Sequence, residues 1–445
     1  MSKIAIVGAG LAGMSAAYDL LKAGHTVTLY EAGSQTGGLA TGFKDERWDW
    51  PLEKYYHHLF QSDRAMLQLL EEIGFRDKLF FPRPITSVYY QRQMYPFDSV
   101  PAWFKYPGFN FLNTIRFGAV GAFLRFGNAW RTLEKQSADV WMRRWFGQQV
   151  YENTWRPLLI NKFGPYYQDV NMAWMWARLK ARTFRLGYFE GGFQAMVDHL
   201  TQTVAQKGAD IHLNSPVQNL QPLPGGGLQL QVNGQTHQAD QVLVTLSPHQ
   251  LSQMAPDLPV GYLQQLLNLK HIGAVVVTLA LKQPLMPDGR TYWLNIPATS
   301  ADKSQNEFPF LALVEHTNFI SREHYGGDHL VYCGDYVLPE HEYFQLSKEE
   351  LVAKFAAALP KINPAFTPDW IRDSWLFRTP YAQPVPLVNH SANIPTLQTP
   401  ISGLFFASMS QVYPWDRGTN FAVEIGRKVA GQMIGVLKGK TVISY

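Results

Sequence analysis

The opening stretch KIAIVGAGLAGMSAAYDLLKAGHTVTLYEAG, residues 3 to 33, constrains this chain more than anything that follows it. It reads as a buried apolar strand, a glycine turn, an amphipathic helix and a second strand ending at Glu31. Gly8, Gly10 and Gly13 stand at the G-x-G-x-x-G spacing in that strand-to-helix context. The first makes the tight turn, the second lets a pyrophosphate approach the backbone, and the third admits close helix packing. The N–H groups of Leu11, Ala12 and Gly13 then open a helix whose positive end faces the phosphates. Glu31, eighteen residues after Gly13, is placed to accept hydrogen bonds from the ribose hydroxyls of a bound dinucleotide. Its charge disfavours the 2′-phosphate of NADP.

At 445 residues the chain is about three times a typical single domain, so two or more lobes are expected. An apolar fraction of 46% against 17% charged describes a folded protein. The single cysteine, Cys333, excludes an internal disulfide. With the first strand beginning at Lys3, cytoplasmic residence is the expectation. The longest apolar run, AVVVTLAL at 274 to 281, is strand-sized, and a net charge of +4 without a basic run leaves no footprint for nucleic acid. The thirteen histidines show no metal-ligand spacing. Aromatic residues crowd between Trp103 and Phe193, which suits a thick core, a large apolar pocket or a membrane-facing patch. Within that region, WFKYPGFNFLNTIRFGAVGAFLRFGNAW carries Lys105, Arg116 and Arg125, with Arg131 just beyond. A helix of this kind either lies peripherally on a membrane or roofs a pocket.

A second glycine pair, Gly37 and Gly38, follows in GSQTGGLATG. With this pair the chain resembles the flavin-containing amine oxidase superfamily, which includes protoporphyrinogen oxidases and carotenoid desaturases. The resemblance implies FAD, held without a covalent link, with Gly37, Gly38, Leu39, Ala40 and Thr41 against it. Leu39 departs from the basic residue common in relatives, so Thr41 and backbone groups are expected to take over its phosphate contact. YFEGGFQAMVDHL and the strand after it resemble the family's Gly-Gly helix and the segment that brings Val217 to the adenine side. QLQVNGQTHQADQVLVTLSP alternates as a hairpin and returns to a buried strand.

At the carboxyl end, ISGLFFAS and GTNFAVEIGRKVAG match the family's returning strand and helix. By this matching Gly418, Thr419 and Asn420 present a helix N-terminus to the flavin ring, where such a terminus stabilises the anionic reduced form. Glycine at 418 is read as serving that close approach. Ser408 and Ser410 stand where relatives commonly carry an acid. Asp416 and Arg417 either replace its contacts or face substrate. The alternative is that Asp416 caps the helix and Arg417 is a solvated charge.

The middle of the chain resembles the substrate lobe of UDP-galactopyranose mutases, in EKYYHHLF, in VYYQRQMYPFD and in the insertion from Ser137 to Leu179. This implies that His58, Tyr95, Lys162 and Arg178 lie on the substrate side of the flavin. Trp174, Trp176, Phe184 and Tyr188 are read as helix packing.

The expected fold is α/β: a Rossmann-like FAD domain of discontinuous segments (1–80, 190–250, 395–445) interleaved with an α+β substrate domain (81–189, 251–394) that carries the helical insertion. The expected activity is FAD-dependent oxidation of a bulky or apolar small molecule by hydride transfer to flavin N5. Catalysis is assigned to His58, Lys162, Arg178 and Arg417, with oxygen or a quinone as electron acceptor. The alternative is a flavin-dependent isomerase of a nucleotide sugar.

Overall fold

In the computed structural model, which describes residues 1–438, the opening segment folds as β1 (Lys3–Val7), α1 (Leu11–Lys22) and β2 (Thr26–Tyr30). A long excursion then carries β3 (Ile85–Tyr90) and the helices α2 (Phe111–Phe126), α3 (Ala138–Phe146), α4 (Arg156–Phe163) and α5 (Met172–Ala181). The chain returns through α6 (Gly192–Gln206) and β4 (Asp210–His212). It then makes a meander of β5 (Val217–Pro222), β6 (Leu228–Val232) and β7 (Gln235–Ala239), and re-enters as β8 (Gln241–Val244). A second excursion supplies β9 (His271–Leu281), β10 (Thr291–Asn295), β11 (Ala312–Glu315), β12 (His329–Val337) and β13 (Ile371–Pro384). β14 (Leu404–Phe406) and α7 (Thr419–Leu437) close the described chain. Residues 439–445, included in the carboxyl-terminal segment expected for the cofactor domain, lie outside it.

Five strands far apart in sequence form one parallel sheet in the order β4-β2-β1-β8-β14. Parallel strands are buried on both faces, so each reads as an apolar run whose alternate residues enter different cores. Ile4 and Ile6 pack with Met14, Ala17, Met196 and Val429 of α1, α6 and α7. Ala5 and Val7 point to the other side, against Leu220 and Leu230 of the meander. A second sheet runs β13-β9-β12-β11-β10-β3 and ends on the hairpin strand Gln93–Pro96. Its Val276, Ala280 and Tyr332 join the core of the parallel sheet. Val275, Val277 and Cys333 face the opposite way, onto Leu351 and Phe355. The two runs read from sequence as sheet, HIGAVVVTLAL and HLVYCGDYVL, are β9 and β12, paired antiparallel. The hairpin and returning strand expected after Gln229 are β6, β7 and β8.

The aromatic-rich insertion is mostly core: Phe117, Trp141, Phe146, Trp155, Phe163, Trp174 and Trp176 pack together. Tyr188 is likewise buried, whereas Phe184 is 64% exposed and packs no helix interface.

Glu53 ties α6 to β12. Its carboxylate accepts hydrogen bonds from Phe193 N–H at the start of α6 (2.8 Å) and from the Tyr188 hydroxyl (3.0 Å), and its carbonyl accepts from the Tyr332 hydroxyl on β12 (2.8 Å). Burial pushes the Glu53 carboxyl up to about 7, against the opposing pull of the Phe193 and Tyr188 hydrogen bonds. A folded-state value raised above the unfolded one contributes stability that is full below the unfolded value near 4.5 and lost as pH rises through about 7. Denaturant melts should therefore show lower stability at pH 8.5 than at pH 6, with a swing of about 1 kcal/mol from this group, the rest of its contribution being lost already between pH 4.5 and 6. Glu53→Gln should flatten that dependence; an unchanged slope would count against it.

Candidate active site

The two glycine turns of the amino-terminal region lie against each other. Gly10 and Gly37 form a parallel bridge, and Gly37 N–H donates to the Ala9 carbonyl at 2.8 Å. The first helical bond of α1 runs from Met14 N–H to Gly10 (3.0 Å), so the N–H groups of Leu11, Ala12 and Gly13 point outward without intrahelical acceptors. A Cβ on Gly13 would stand 2.1 Å from the Gly8 carbonyl oxygen. Gly38, at φ +59°, would bring a Cβ within 3.2 Å of the Gly10 Cα. Glu31 directly follows β2, its carboxylate accepting from Ala9 N–H (2.9 Å) and Gly33 N–H (2.8 Å), which locks the acid beside the turn. Ser215 N–H donates to the Glu31 carbonyl (2.8 Å), which brings Val217, the first residue of β5, to the same edge. Gly38, Leu39 and Ala40 form a single 3-10 turn, and the Thr41 hydroxyl donates back to the Gly38 carbonyl. Thr41 thus braces the turn, and its proton is already committed there.

The second group of residues converges from five elements, four of them helices or strands and the fifth the loop before α7. Asp416, in the loop before α7, accepts from Arg178 of α5 at 2.8 Å, from its neighbour Arg417 N–H at 3.0 Å and from Gln383 of β13 at 3.3 Å. The Arg417 guanidinium donates to the Tyr336 hydroxyl on β12. The Lys162 ammonium of α4 sits 4.7 Å from the centre of the Tyr336 ring. Burial alone would raise the Asp416 carboxyl; Lys162, Arg178 and Arg417 outweigh it and hold the group well below the usual carboxylate range. Lys162 moves the other way. Enclosure by protein, with Arg417 and Arg178 adding to it, lowers its amine far below an ordinary lysine despite the opposing charge of Asp416. Two arginines outnumber the single carboxylate even before Lys162 is counted.

The structure thus joins Lys162, Arg178, Asp416 and Arg417. It does not use Asp416 as a helix cap: the N-cap of α7 is Gly418, with no side-chain cap. His58 flanks the group and is held neutral, its imidazole lowered to about 3 by burial and by Arg182, His57 and Arg178. The His58 Nδ1, the Arg417 Nε and the Gln383 Oε1 are buried without hydrogen-bond partners among the described residues. Such atoms cost about 1–3 kcal/mol each unless a bound molecule satisfies them. Trp174, Gln383, His390 and Trp415 line one cleft with Asp416 and Arg417, and the Trp415 ring stacks between Trp176 (5.5 Å) and Phe421 (5.7 Å).

Other expected site residues are engaged elsewhere. Asn420 accepts from Met66 N–H (3.0 Å) and so caps the helix Arg64–Glu72 with its side chain. Ser408 N–H is bound by the Gln411 side chain, and Ser408 Oγ lies 3.5 Å from the Tyr381 hydroxyl, which contacts Ser410 at 2.6 Å. Tyr95 packs on Tyr90 and Tyr106 and donates to Gln93, so its hydroxyl does not join the cluster. Gly418 is extended at φ 169°, and an added Cβ would meet only Phe421 at 3.9 Å; its backbone does not require glycine. Sequence reasoning alone does not reach Tyr336 or Gln383. The first had a signal, the alternation of Tyr332, Gly334 and Tyr336 along one face of β12; Gln383 had none.

A model of the flavin-containing amine oxidoreductase family matches residues 11–434. The chain belongs to that family. Its cofactor is FAD, and the open glycine cradle, the outward N–H groups of α1 and the anchored Glu31 fit that molecule. A 15-cis-phytoene desaturase of Synechococcus elongatus is 38% identical over 107 residues, 22% of either chain. An L-amino-acid oxidase of Bungarus fasciatus is 32% identical over 108 residues, 23% of this chain and 21% of the relative. These matches span about a fifth of the length of the curated relatives. Among solved structures, reduced UDP-galactopyranose mutase aligns with a TM-score of 0.74 and 14% identity over 99% of this chain and 97% of that one. Cyclohexylamine oxidase from Brevibacterium oxydans aligns with 0.71 and 15% over 98% and 99%. At these identities the likeness shows that this flavin-containing amine oxidoreductase shares their fold.

Proposed function

We propose that this chain is an FAD-dependent oxidoreductase that oxidises a bulky, largely apolar small molecule on the Asp416–Arg417 side of the flavin. Gly8, Gly10, the N–H groups of Leu11 to Gly13, Glu31, Gly37 to Thr41 and Val217 hold the dinucleotide, and the first turn of α7 lies toward the ring. FAD bound there supplies a two-electron acceptor for a substrate C–H bond. The observation that carries the reading is the placement of Lys162, 4.7 Å from the centre of the Tyr336 ring and beside the Asp416–Arg178 pair, where burial lowers its basicity. Its Nζ accepts a proton from the substrate or from a water. Arg178 and Arg417 fix Asp416 and steady negative charge that develops nearby. The rings of Trp174 and Trp415 shape an apolar wall. Oxygen or a quinone takes the electrons afterwards.

The test is anaerobic. Mixing oxidised protein with candidate apolar amines and polyenes should bleach the flavin colour once per flavin, and oxygen or menadione should restore it. The excess of arginine over carboxylate favours a second reading, an isomerase of a nucleotide sugar whose phosphates meet Arg178, Arg182 and Arg417. Dithionite-reduced protein incubated with UDP-galactopyranose separates the two. Many turnovers of ring interconversion after a single reduction would replace the oxidoreductase reading.

Glu31→Ala should weaken FAD binding by about 1–3 kcal/mol, since it strips the ribose acceptor and leaves Ala9 N–H and Gly33 N–H unpaired. Titration of the apoprotein with FAD measures it. An unchanged affinity would remove Glu31 from the cofactor site.

A further inference from the structure

Helix α2 is amphipathic in the wrong sense for a water-facing helix. It buries only Thr114, Phe117 and Leu124, whereas Phe111 (68% exposed), Leu112 (75%), Ile115 (50%), Phe123 (57%) and Phe126 (78%) stand on its outer side. The spacing from 112 through 115, 119 and 123 to 126 places these on one face at the helical period. The patch continues onto the short helix Val100–Lys105, where Phe104 packs 5.9 Å from Phe111. Isolated exposed apolar residues need no explanation; a contiguous face of large ones marks an interaction surface.

The charges around the face narrow what covers it. From Ser99 to Leu133 there is no Asp or Glu, while Lys105, Arg116, Arg125 and Arg131 are all cationic. Two of these cations tie the helix down. Arg116 donates to the Trp145 and Arg144 carbonyls at the end of α3 (2.6 Å each). Arg125 donates to the Leu179 and Arg182 carbonyls at the end of α5 (3.0 and 2.7 Å). Both helix C-termini are thereby capped, and α2 is fixed with its apolar face outward. Lys105 and Arg131 are exposed and make no ion pair among the described residues.

We propose that the face of α2 and the helix Val100–Lys105 is a docking surface for a bilayer bearing anionic lipid headgroups, on which α2 lies in the plane of the interface. Large apolar side chains enter the acyl boundary while Lys105 and Arg131 meet the phosphates. Among the described residues no helix is long and apolar enough to cross a membrane, so the contact is peripheral. A second copy fits the face less well, because a two-fold contact sets each patch, with its unpaired cations, against the same patch. The inference rests on exposure and charge alone and stands independently of the flavin reading.

Co-sedimentation of the full FAD-loaded protein with phosphatidylcholine vesicles, and with vesicles that also contain phosphatidylglycerol, tests it. The protein should pellet with the anionic vesicles, less with the neutral ones, and less again as salt is raised. Leu112→Glu/Phe123→Glu should lower partition at least about tenfold, with flavin colour and melting temperature kept because both side chains are exposed. Lys105→Gln/Arg131→Gln should weaken only the anionic arm. The proposal fails if the protein stays in the supernatant, if both vesicle types bind it equally, or if both double variants sediment like wild type. It also fails if size exclusion shows a dimer that Leu112→Glu/Phe123→Glu converts to monomers, which would assign the face to a contact between copies.

Discussion

Asp416→Asn should produce a protein that melts earlier and holds its flavin at a higher potential. The substitution keeps the shape of the side chain and removes the one negative charge among Lys162, Arg178 and Arg417. Taking one partner from a buried pair costs about 3–5 kcal/mol. Arg178 keeps 29% of its side chain in solvent, so the cost here should fall to about 2–3 kcal/mol. With the carboxylate gone, the site is more positive and favours the reduced, anionic ring. If about 1 kcal/mol of that reaches the flavin, the midpoint rises by about 20 mV for a two-electron couple. Denaturant melts and a spectroscopic redox titration against wild type read both effects. A variant that moves neither has its Asp416 outside the flavin site. The same carboxylate predicts an acid limb: its depressed value means that its stabilisation is present above the unfolded value near 3.9 and is lost as pH falls below it.

Gly13→Ala should give colourless protein. The new methyl would stand 2.1 Å from the Gly8 carbonyl oxygen and 3.2 Å from an Ile6 side-chain carbon, and the first of these neighbours is backbone that cannot swing away. The helix must lift from the strand that it caps, at a cost of about 3 kcal/mol or more, and the outward N–H groups leave the position that a pyrophosphate needs. Heat release of flavin from purified protein and calorimetric titration with FAD measure the loss. The paired control is Gly418→Ala. The extended backbone there and a nearest neighbour at 3.9 Å make that change worth less than about 0.5 kcal/mol. Retention of FAD by Gly13→Ala at wild-type affinity would refute this account of the cradle.

The contrast between these two glycines shows where the sequence is legible. At Gly13 the demand is local, set by a strand and helix only a few residues apart, and the G-x-G-x-x-G spacing states it outright. At Gly418 the dihedral depends on how α7 meets a loop that begins on another strand, and spacing says nothing of that. Similarly, β9 and β12 announce themselves by apolar runs, and the parallel strands by burial on both faces. The cation cluster is different in kind. Lys162, Arg178, Tyr336, Gln383 and Asp416 come from five separate elements, and Lys162 owes its lowered basicity to burial in their midst, with Arg417 and Arg178 adding to it. The resemblance brought Lys162, Arg178, Asp416 and Arg417 into view. Gln383 stayed hidden because a single polar residue at the end of a strand carries no pattern. Asn420 has a second task that spacing could not show: its side chain serves a neighbouring helix across 354 positions of chain, while its backbone stays in the first turn of α7.

The central parallel sheet draws its strands from residues 3–7, 26–30, 210–212, 241–244 and 404–406. The edge strand β14 and helix α7, which packs on α1, are translated long after the β1-α1-β2 unit that they complete. Until they arrive, α1 and Val244 present bare apolar surface and an open strand edge. Pairings at such long separation are slow to form and exposed to aggregation while they wait. The first β-α-β unit, complete within about thirty residues, can shape a glycine turn early, but it cannot bury its own helix. Completion of that sheet is therefore a late event in the folding of each molecule, and β14 with α7 is the latch that closes it.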